Sequence, residues 1–520
     1  MNFLFIFTDQ QRKDHISCYN SNMVLKTPNI DSIAQEGIKF TNFFCNNPIC
    51  MPNRSTIFTG QYPSVHGVTT NGRNLPIETR TFVDILRENG YHTANFGKIH
   101  LNYFGVTSKL FNAELNSQEF VLPNLYKKLS NYIPYFGLEE VKIISGHGNL
   151  LGHPDYLNWI VSKVKQDESL QLKLKVEPDD TDRQILRKYS KLTSPKKEKS
   201  IRKLQVFNHD IPEKLYSTTF VKEHVINFLE NFANHQYSKE NFFVFCSFPD
   251  PHHPFAPPGR YFDMYKPEDI ILPNSFKDNH ETSTRLNKNH YEKLINTEGT
   301  QNEIFPKPKD LTELQAKRVI AASYGMEKMI DDAIGEILEN LEKTDLAKNT
   351  IIIFTTDHGD LGGEHKFFFK GPFLYNGLIN IPFIIKIPSG LKNKESTSLA
   401  SSIDIPETIL ELAGLPIPKF MQGNSMVHIL EKPDEKINED ILVEMDDEFI
   451  KEKTRTLITD DWRLTIFKDY GELFNRKEDP DDLNNLWDEE SLKDVKLELI
   501  MKLLRKNLNN ESHVNRDCGY

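Results

Sequence analysis

The chain has 520 residues, 38% of them hydrophobic and 26% charged, with 63 basic against 74 acidic side chains and a net charge of −11. That length exceeds one ordinary core and indicates two or more domains, or one large α/β domain with an appendage. The acidic balance argues against general nucleic-acid binding, five cysteines without a C-x-x-C pair argue against a disulfide framework or structural zinc, and no apolar run is long enough to span a membrane.

Asn2 to Thr8 (NFLFIFT) is a short apolar run ending in Asp9-Gln10-Gln11-Arg12, the pattern of a buried strand in a parallel sheet. It is too short for the core of a signal peptide, so a cytoplasmic protein is expected. Thr27-Pro28-Asn29-Ile30 opens a helix through Ile33 that Gly37 stops. After the aromatic segment Phe40 to Phe44 comes Cys50-Met51-Pro52-Asn53-Arg54. Pro52 suits a helix's first turn, which puts Cys50 at a helix N-terminus and Arg54 one turn up the same face. There the helix dipole is expected to lower the thiol pKa, although a cysteine is as readily a small buried hydrophobe. Thr81 to Asn89 is an amphipathic helix, and Tyr91 to Asn95 a strand leading into Phe96-Gly97-Lys98-Ile99-His100. This order of strand and helix is that of an α/β sandwich.

Residues 105–215 read as an insertion with weak periodicity, and the basic run Arg183 to Lys203 as a solvated, mobile face. Thr218 to Asn234 is a helix, and Phe242 to Phe248 (FFVFCSF) a buried strand ending in Pro249-Asp250-Pro251-His252-His253. Residues 259–310 are polar and irregular. Leu311 to Leu341 forms one long helix or two, Thr350 to Thr356 a strand ending in Asp357-His358-Gly359-Asp360, Ile381 to Ile387 a further strand, and Ile403 to Ala413 a helix. From about residue 430, short strands at Asp440 to Glu444, Thr454 to Thr459 and Trp462 to Lys468, closed by a helix at Leu492 to Leu508, indicate a small antiparallel sheet with one helix. The domain expectation is 1–430 with the insertion, then 431–520.

Three apolar strands thus end in polar chemistry, at Asp9, at the His252 loop and at Asp357-His358. Ligands of parallel α/β sheets bind at the carboxyl ends of strands. Asp9, Asp357 and His358 would offer hard oxygen and imidazole ligands, suited to Ca²⁺, Mg²⁺ or Mn²⁺. Each also has a plain structural reading, as a helix cap or a satisfied histidine.

At this point the motifs carry a resemblance. Cys50-Met51-Pro52-Asn53-Arg54 is similar to the C-x-P-x-R signature of the formylglycine-dependent sulfatases of the alkaline phosphatase superfamily, and Gly90 to His100 resembles their second signature, G-Y-x-T-x-x-x-G-K-x-H. Thr8-Asp9-Gln10, Asp250-Pro251-His252, Thr356-Asp357-His358-Gly359 and Lys370 fall in the family's order, so the resemblance covers roughly residues 1–100 and 220–480. It implies an alkaline phosphatase-like fold, with a large, mixed, mostly parallel sheet between helices.

It also implies that a maturase oxidises Cys50 to formylglycine, and that Asp9, Asp357, His358 and the modified residue bind one divalent metal, Ca²⁺ first, Mn²⁺ or Mg²⁺ otherwise. The hydrated aldehyde would attack sulfur in line. Arg54 would hold the formylglycine, Lys98 and Lys370 clamp the sulfate, His252 protonate the leaving oxygen and His100 take the proton that lets the covalent sulfate depart. The implied activity is hydrolysis of a small sulfate ester, with no nucleic-acid or membrane partner and a homo-oligomer possible.

Three positions depart from the common pattern. Asn53 stands where Ser is usual, Gln10 where many members have a second Asp, and His358 where many have Asn. The Asp-Gln and Asp-His forms resemble the branch of choline sulfatases and phosphonate monoester hydrolases, which makes a phosphonate monoester or phosphodiester hydrolase the alternative. Gln10 is a further metal-ligand candidate, and His253 and His66 read as structural.

Overall fold

A computed structural model describes residues 1–102, 133–148, 152–298 and 305–510. The main sheet has eight strands, numbered in chain order: β1 (Asn2–Thr8), β2 (Ile38–Phe40), β4 (Tyr91–Gly97), β5 (Glu140–Ile143), β6 (Asn241–Ser247), β7 (Thr350–Thr356), β8 (Phe383–Lys386) and β9 (Lys394–Ser396). Their order is β5-β4-β6-β1-β7-β8-β2-β9. Only β8 runs against its neighbours. A two-stranded pair of β3 (Phe43–Phe44) and β10 (Ala400–Ser401) stands apart from it.

The apolar runs are continuous because both faces of the sheet are covered. Along β1, Phe3, Phe5 and Phe7 enter one core while Leu4 and Ile6 enter the other. β6 divides in the same way, with Phe243 and Phe245 on the first side and Phe242, Val244 and Cys246 on the second. One 31-residue helix, Glu313–Lys343, covers the second face. Asp331 on it, fully buried, accepts backbone N–H groups of Asn29 and Ile30 at 3.0 Å, which pins the helix Pro28–Gln35.

β11 (Ile441–Asp447), β12 (Glu452–Ile458), β13 (Trp462–Ile466) and β14 (Gly471–Asn475) form an antiparallel sheet in sequential order. The helix Lys493–Asn510 lays Leu499 and Leu503 on its Leu442, Leu457, Leu464 and Leu473. Among the described residues no helix is long and apolar enough to cross a membrane.

Two expectations need correcting. Within the segment read as an insertion, Glu140–Ile143 is the edge strand of the main sheet, parallel to β4. Only Ile143 of its four residues is fully buried, so it leaves no apolar run to read. The basic stretch from Arg183 is not simply a solvated face. A helix, Asp182–Leu192, opens with a Thr181/Gln184 capping box and buries Ile185, Leu186 and Tyr189. Residues 103–132, the start of the expected insertion, lie outside those described.

Because β4, β6, β1 and β7 are adjacent and parallel, their carboxyl ends share one edge. Gly97 closes β4 with φ 119°, and a Cβ there would lie 1.8 Å from the Ser247 carbonyl oxygen. Only glycine admits this approach, which also lets the Lys98 N–H donate to that oxygen at 3.0 Å. Gly97→Ala is therefore expected to cost about 3 kcal/mol or more of stability. Urea denaturation measures this, and a loss under about 1 kcal/mol would contradict the account.

Candidate active site

Cys50 begins the helix Cys50–Thr59, all ten residues of which are buried. Pro52 occupies its first turn, and Gly60 ends it in the left-handed conformation at φ 66°. The Cys50 thiol lies where the strand ends converge. Its Sγ is 2.9 Å from Lys370 Nζ, 3.2 Å from His358 Nε2 and 3.8 Å from Asp9 Oδ1. The lowered thiol pKa expected from the helix end does not appear. Burial, reinforced by Asp9, pushes the thiol up, and Lys370 and Lys98 offset this only in part.

Arg54 lies one turn along. Its Nε donates to Asp357 Oδ2 at 2.8 Å and Nη2 to Asp9 Oδ2 at 2.9 Å, while Nη1 donates to the carbonyls of Lys98 and Ile99 at 3.1 and 3.3 Å. Its donors thus go to the two carboxylates and the β4 loop rather than to Cys50. All three charged groups have no exposed side-chain surface. Lys98 Nζ adds a bond to Asp9 Oδ2 at 2.5 Å. Burial alone would raise the Asp9 carboxyl, but Lys98 and Arg54 together outweigh it and hold it well below the usual range. Asn53 ties the same parts through its side-chain amide. It donates to the Asp357 carbonyl at 2.6 Å and accepts from the Asn46 N–H at 3.0 Å. The side-chain amide spans this gap.

The histidines are arranged alike. His358 Nδ1 lies 2.8 Å from the Gly359 carbonyl, and His252 Nδ1 2.5 Å from that of His253. A carbonyl only accepts, so each Nδ1 carries the proton and each Nε2 a lone pair. The His252 lone pair faces the Lys370 ammonium at 3.0 Å, and that of His358 faces Cys50 and Lys370. Burial, above all, lowers both imidazoles below their ordinary value, His358 to about 4. His100, buried at φ 60°, is lowered by burial and by the fields of Lys98 and Arg54.

Asp9, Cys50, Asp357 and His358 each direct a ligand atom to one place, all within 4.8 Å of one another. Asp9 Oδ1, Asp357 Oδ1 and the His358 lone pair are the atoms not committed to Arg54 or to a carbonyl, and Asp357 Oδ1 also accepts the Gln10 and His358 N–H groups. Two carboxylate oxygens and an imidazole suit a hard divalent cation. Gln10 is turned elsewhere, its amide bonding Asp360 at 2.5 Å and His253 at 3.2 Å. His66 bonds Thr56 and the Val68 N–H, an internal brace.

Sequence reasoning missed His147. It follows β5, stacks on His252 with ring centroids 3.7 Å apart, and faces Lys98 Nζ at 3.4 Å through Nε2. With Asp9 and His252 it forms a second cluster within 4.8 Å, where the Lys98 ammonium already supplies the positive charge. Its one sequence signal was Gly146-His147-Gly148. A Cβ on Gly148 would lie 2.2 Å from the Pro254 carbonyl. Glu298 was missed too. Its N–H donates to Asp447 at 2.7 Å, and burial, with the Asp447 carboxylate beside it, raises its carboxyl to about 7 against the opposing field of Lys370.

The family model for sulfatases matches residues 1–415, and that for the C-terminal part of N-sulphoglucosamine sulphohydrolase matches residues 363–509. The chain belongs to the sulfatase family. An arylsulfatase of Clostridium perfringens is 27% identical over 519 residues, 98% of this chain and 94% of that protein. Two solved structures share the fold. The phosphonate monoester hydrolase SpPMH of Silicibacter pomeroyi superposes with a TM-score of 0.75 at 20% identity, covering 98% of this chain and 96% of that one. BT4656, solved with its substrate D-glucosamine-2-N,6-O-disulfate, gives 0.70 at 21% identity and covers 98% of both chains. This protein is a sulfatase, a hydrolase acting on sulfate esters.

Because Arg54 neutralises two buried carboxylates, truncating it leaves uncompensated charge. Arg54→Ala in the sulfatase is expected to lose about 3–5 kcal/mol of stability. Chemical denaturation checks this, and a loss no larger than that of an exposed arginine would contradict it.

Proposed function

We propose that the sulfatase cleaves a sulfate monoester at the cluster around residue 50, with Cys50 converted to formylglycine by a maturase and one divalent cation bound, Ca²⁺ in the first instance. The observation that carries this reading is the cluster around Cys50 of three buried cations, Arg54, Lys98 and Lys370, with two buried carboxylates, in which Lys370 touches the sulfur itself. One positive charge is left in excess before any metal binds, which favours an anion over a neutral substrate.

Asp9, Asp357, His358 and residue 50 would hold the cation. When present, the aldehyde hydrate supplies a hydroxyl nucleophile and the cation a Lewis acid. Lys98 and Lys370 bind the sulfate oxygens and meet the charge that develops on them. Burial works against the Lys370 ammonium, and the carboxylates of Asp9 and Asp357 favour it. Arg54 holds Asp9 and Asp357 in place, a positioning part rather than the direct hold on residue 50 that the resemblance implied. His252 protonates the leaving oxygen through Nε2 with a proton handed on by the Lys370 ammonium it faces, and Lys370 recovers a proton from solvent once the alcohol has left. His100 takes the proton that frees the enzyme for the next turnover.

The division into a catalytic part, 1–430, and a C-terminal subdomain, 431–520, belongs to the same proposal. The subdomain brings Asp447 to Glu298 near Lys370, so it takes part in choosing the alcohol. A sulfated sugar or an aryl sulfate fits the compounds named for the relatives. Phosphonate monoester hydrolysis is the second reading, in keeping with Gln10 and His358 at the two variant positions.

Mass spectrometry of the peptide spanning Cys50 is the direct test. An aldehyde or its hydrate is expected, and an unmodified thiol in fully active protein refutes the mechanism. Turnover of a sulfate ester against its matched phosphonate separates the two readings. Negligible sulfate cleavage beside fast phosphonate cleavage would overturn the first. His252→Ala should slow an alkyl sulfate by about 10²–10⁴-fold and a nitrophenyl sulfate, whose leaving group needs no proton, far less. Equal losses on both would remove His252 from that role.

A further inference from the structure

The helix Lys493–Asn510 has two apolar faces. Leu499 and Leu503 point into the C-terminal sheet, and Lys506 anchors the same helix to Asp440. The outer face carries Leu497, Met501, Leu504 and Leu508, which are 58%, 40%, 49% and 55% exposed. Their spacings of four, three and four are those of alternating a and d positions over two heptads, and they fall on one narrow stripe. Isolated exposed leucines need no explanation, but four in a heptad seam on an already docked helix form a surface without a partner among the described residues.

The flank of the stripe indicates what covers it. Glu498 and Arg505 stand seven residues apart on the same side, at equivalent heptad positions. If two copies of the helix pack antiparallel about a two-fold axis between Met501 and Leu504, Met501 meets Leu504 of the partner subunit and Leu497 meets Leu508 of the partner subunit. The same operation sets Glu498 against Arg505 of the partner subunit, and Arg505 against Glu498 of the partner subunit. The surface is therefore self-complementary in both charge and apolar pattern, as a two-fold interface requires. Arg505 makes no ion pair among the described residues, and Glu498 has only its exposed neighbour Lys502 at 3.2 Å. Residues 511–520, which follow the helix, contain only Val514 and Tyr520 as large apolar side chains, too few to fill a four-residue seam.

We propose that this seam is the interface of a homodimer, formed by antiparallel pairing of the helix Lys493–Asn510 with its copy. Two heptads bury less than a standard interface of about 1,600 Å², so a micromolar dimer is expected.

Sedimentation velocity of the full chain between about 1 and 100 µM, a range bracketing that affinity, tests it. The wild type should pass from monomer to dimer across that range, and Leu504→Glu should remain monomeric with an unchanged circular dichroism spectrum. Glu498→Arg and Arg505→Glu should each weaken the dimer at least about tenfold, the equivalent of 1.4 kcal/mol. The double variant E498R/R505E should regain most of the loss, because the two charges only exchange places. A monomeric wild type at the top of the range would overturn the proposal. So would association that Leu504→Glu leaves intact, or a double variant no better than the single ones.

Discussion

Asp9 and Asp357 are both fully buried, and both touch a single guanidinium. An unpaired buried carboxylate takes up a proton, and at Asp9 Lys98 and Arg54 together oppose this. Arg54 therefore does more than balance charge. Its planar fork sets the angle between the ends of β1 and β7, and Nη1 reaches the chain leaving β4. A lysine would provide the charge but not the three-way geometry. The ring of Phe7 beneath the guanidinium, 4.9 Å from its carbon, keeps water from competing for those bonds.

From that constraint the rest of the architecture follows. Four neighbouring parallel strands deliver their ends to one edge, and each end is fixed by the next. The Asp9 N–H donates to the Asp250 carbonyl, the Lys98 N–H to Ser247, and the Gln10 N–H to Asp357. The C-terminal sheet is part of the same edge. Asn46 and Asn47, which lead into the Cys50 helix, donate to the Leu442 and Glu444 carbonyls of β11 at 2.9 and 2.6 Å. The helix carrying Cys50 is clamped between two sheets that are far apart in sequence.

What could be read from the sequence followed from burial. The runs at β1, β6 and β7 are apolar on both faces and end abruptly in Asp, His or Pro, so their existence and their shared edge were legible. Cys50, Lys98, His358, Lys370 and Asp9 do meet in space. The edge strand β5 was not legible, because half-covered strands carry too little apolar pattern, and His147 was lost with it. β14 was missed for a related reason: five residues between turns give no period to count. Nor could the helix-end argument foresee the Cys50 thiol. A helix terminus is worth a fraction of a kcal/mol to about two, whereas complete burial beside a carboxylate outweighs it.

Cys50 is 1% exposed in the folded chain, at the bottom of the cluster. Any enzyme that is to oxidise it must reach the chain before folding closes the site. Strand pairing sets the time available for this. β1 pairs with β6 and β7, whose residues lie about 240 and 348 positions further along. The sheet around residue 50 therefore cannot close until most of the polypeptide has been made. At ordinary synthesis rates of about 5–20 residues per second, the Cys50 segment stays open for tens of seconds. The long-range topology that buries residue 50 therefore also sets the time during which its side chain is open to chemical change.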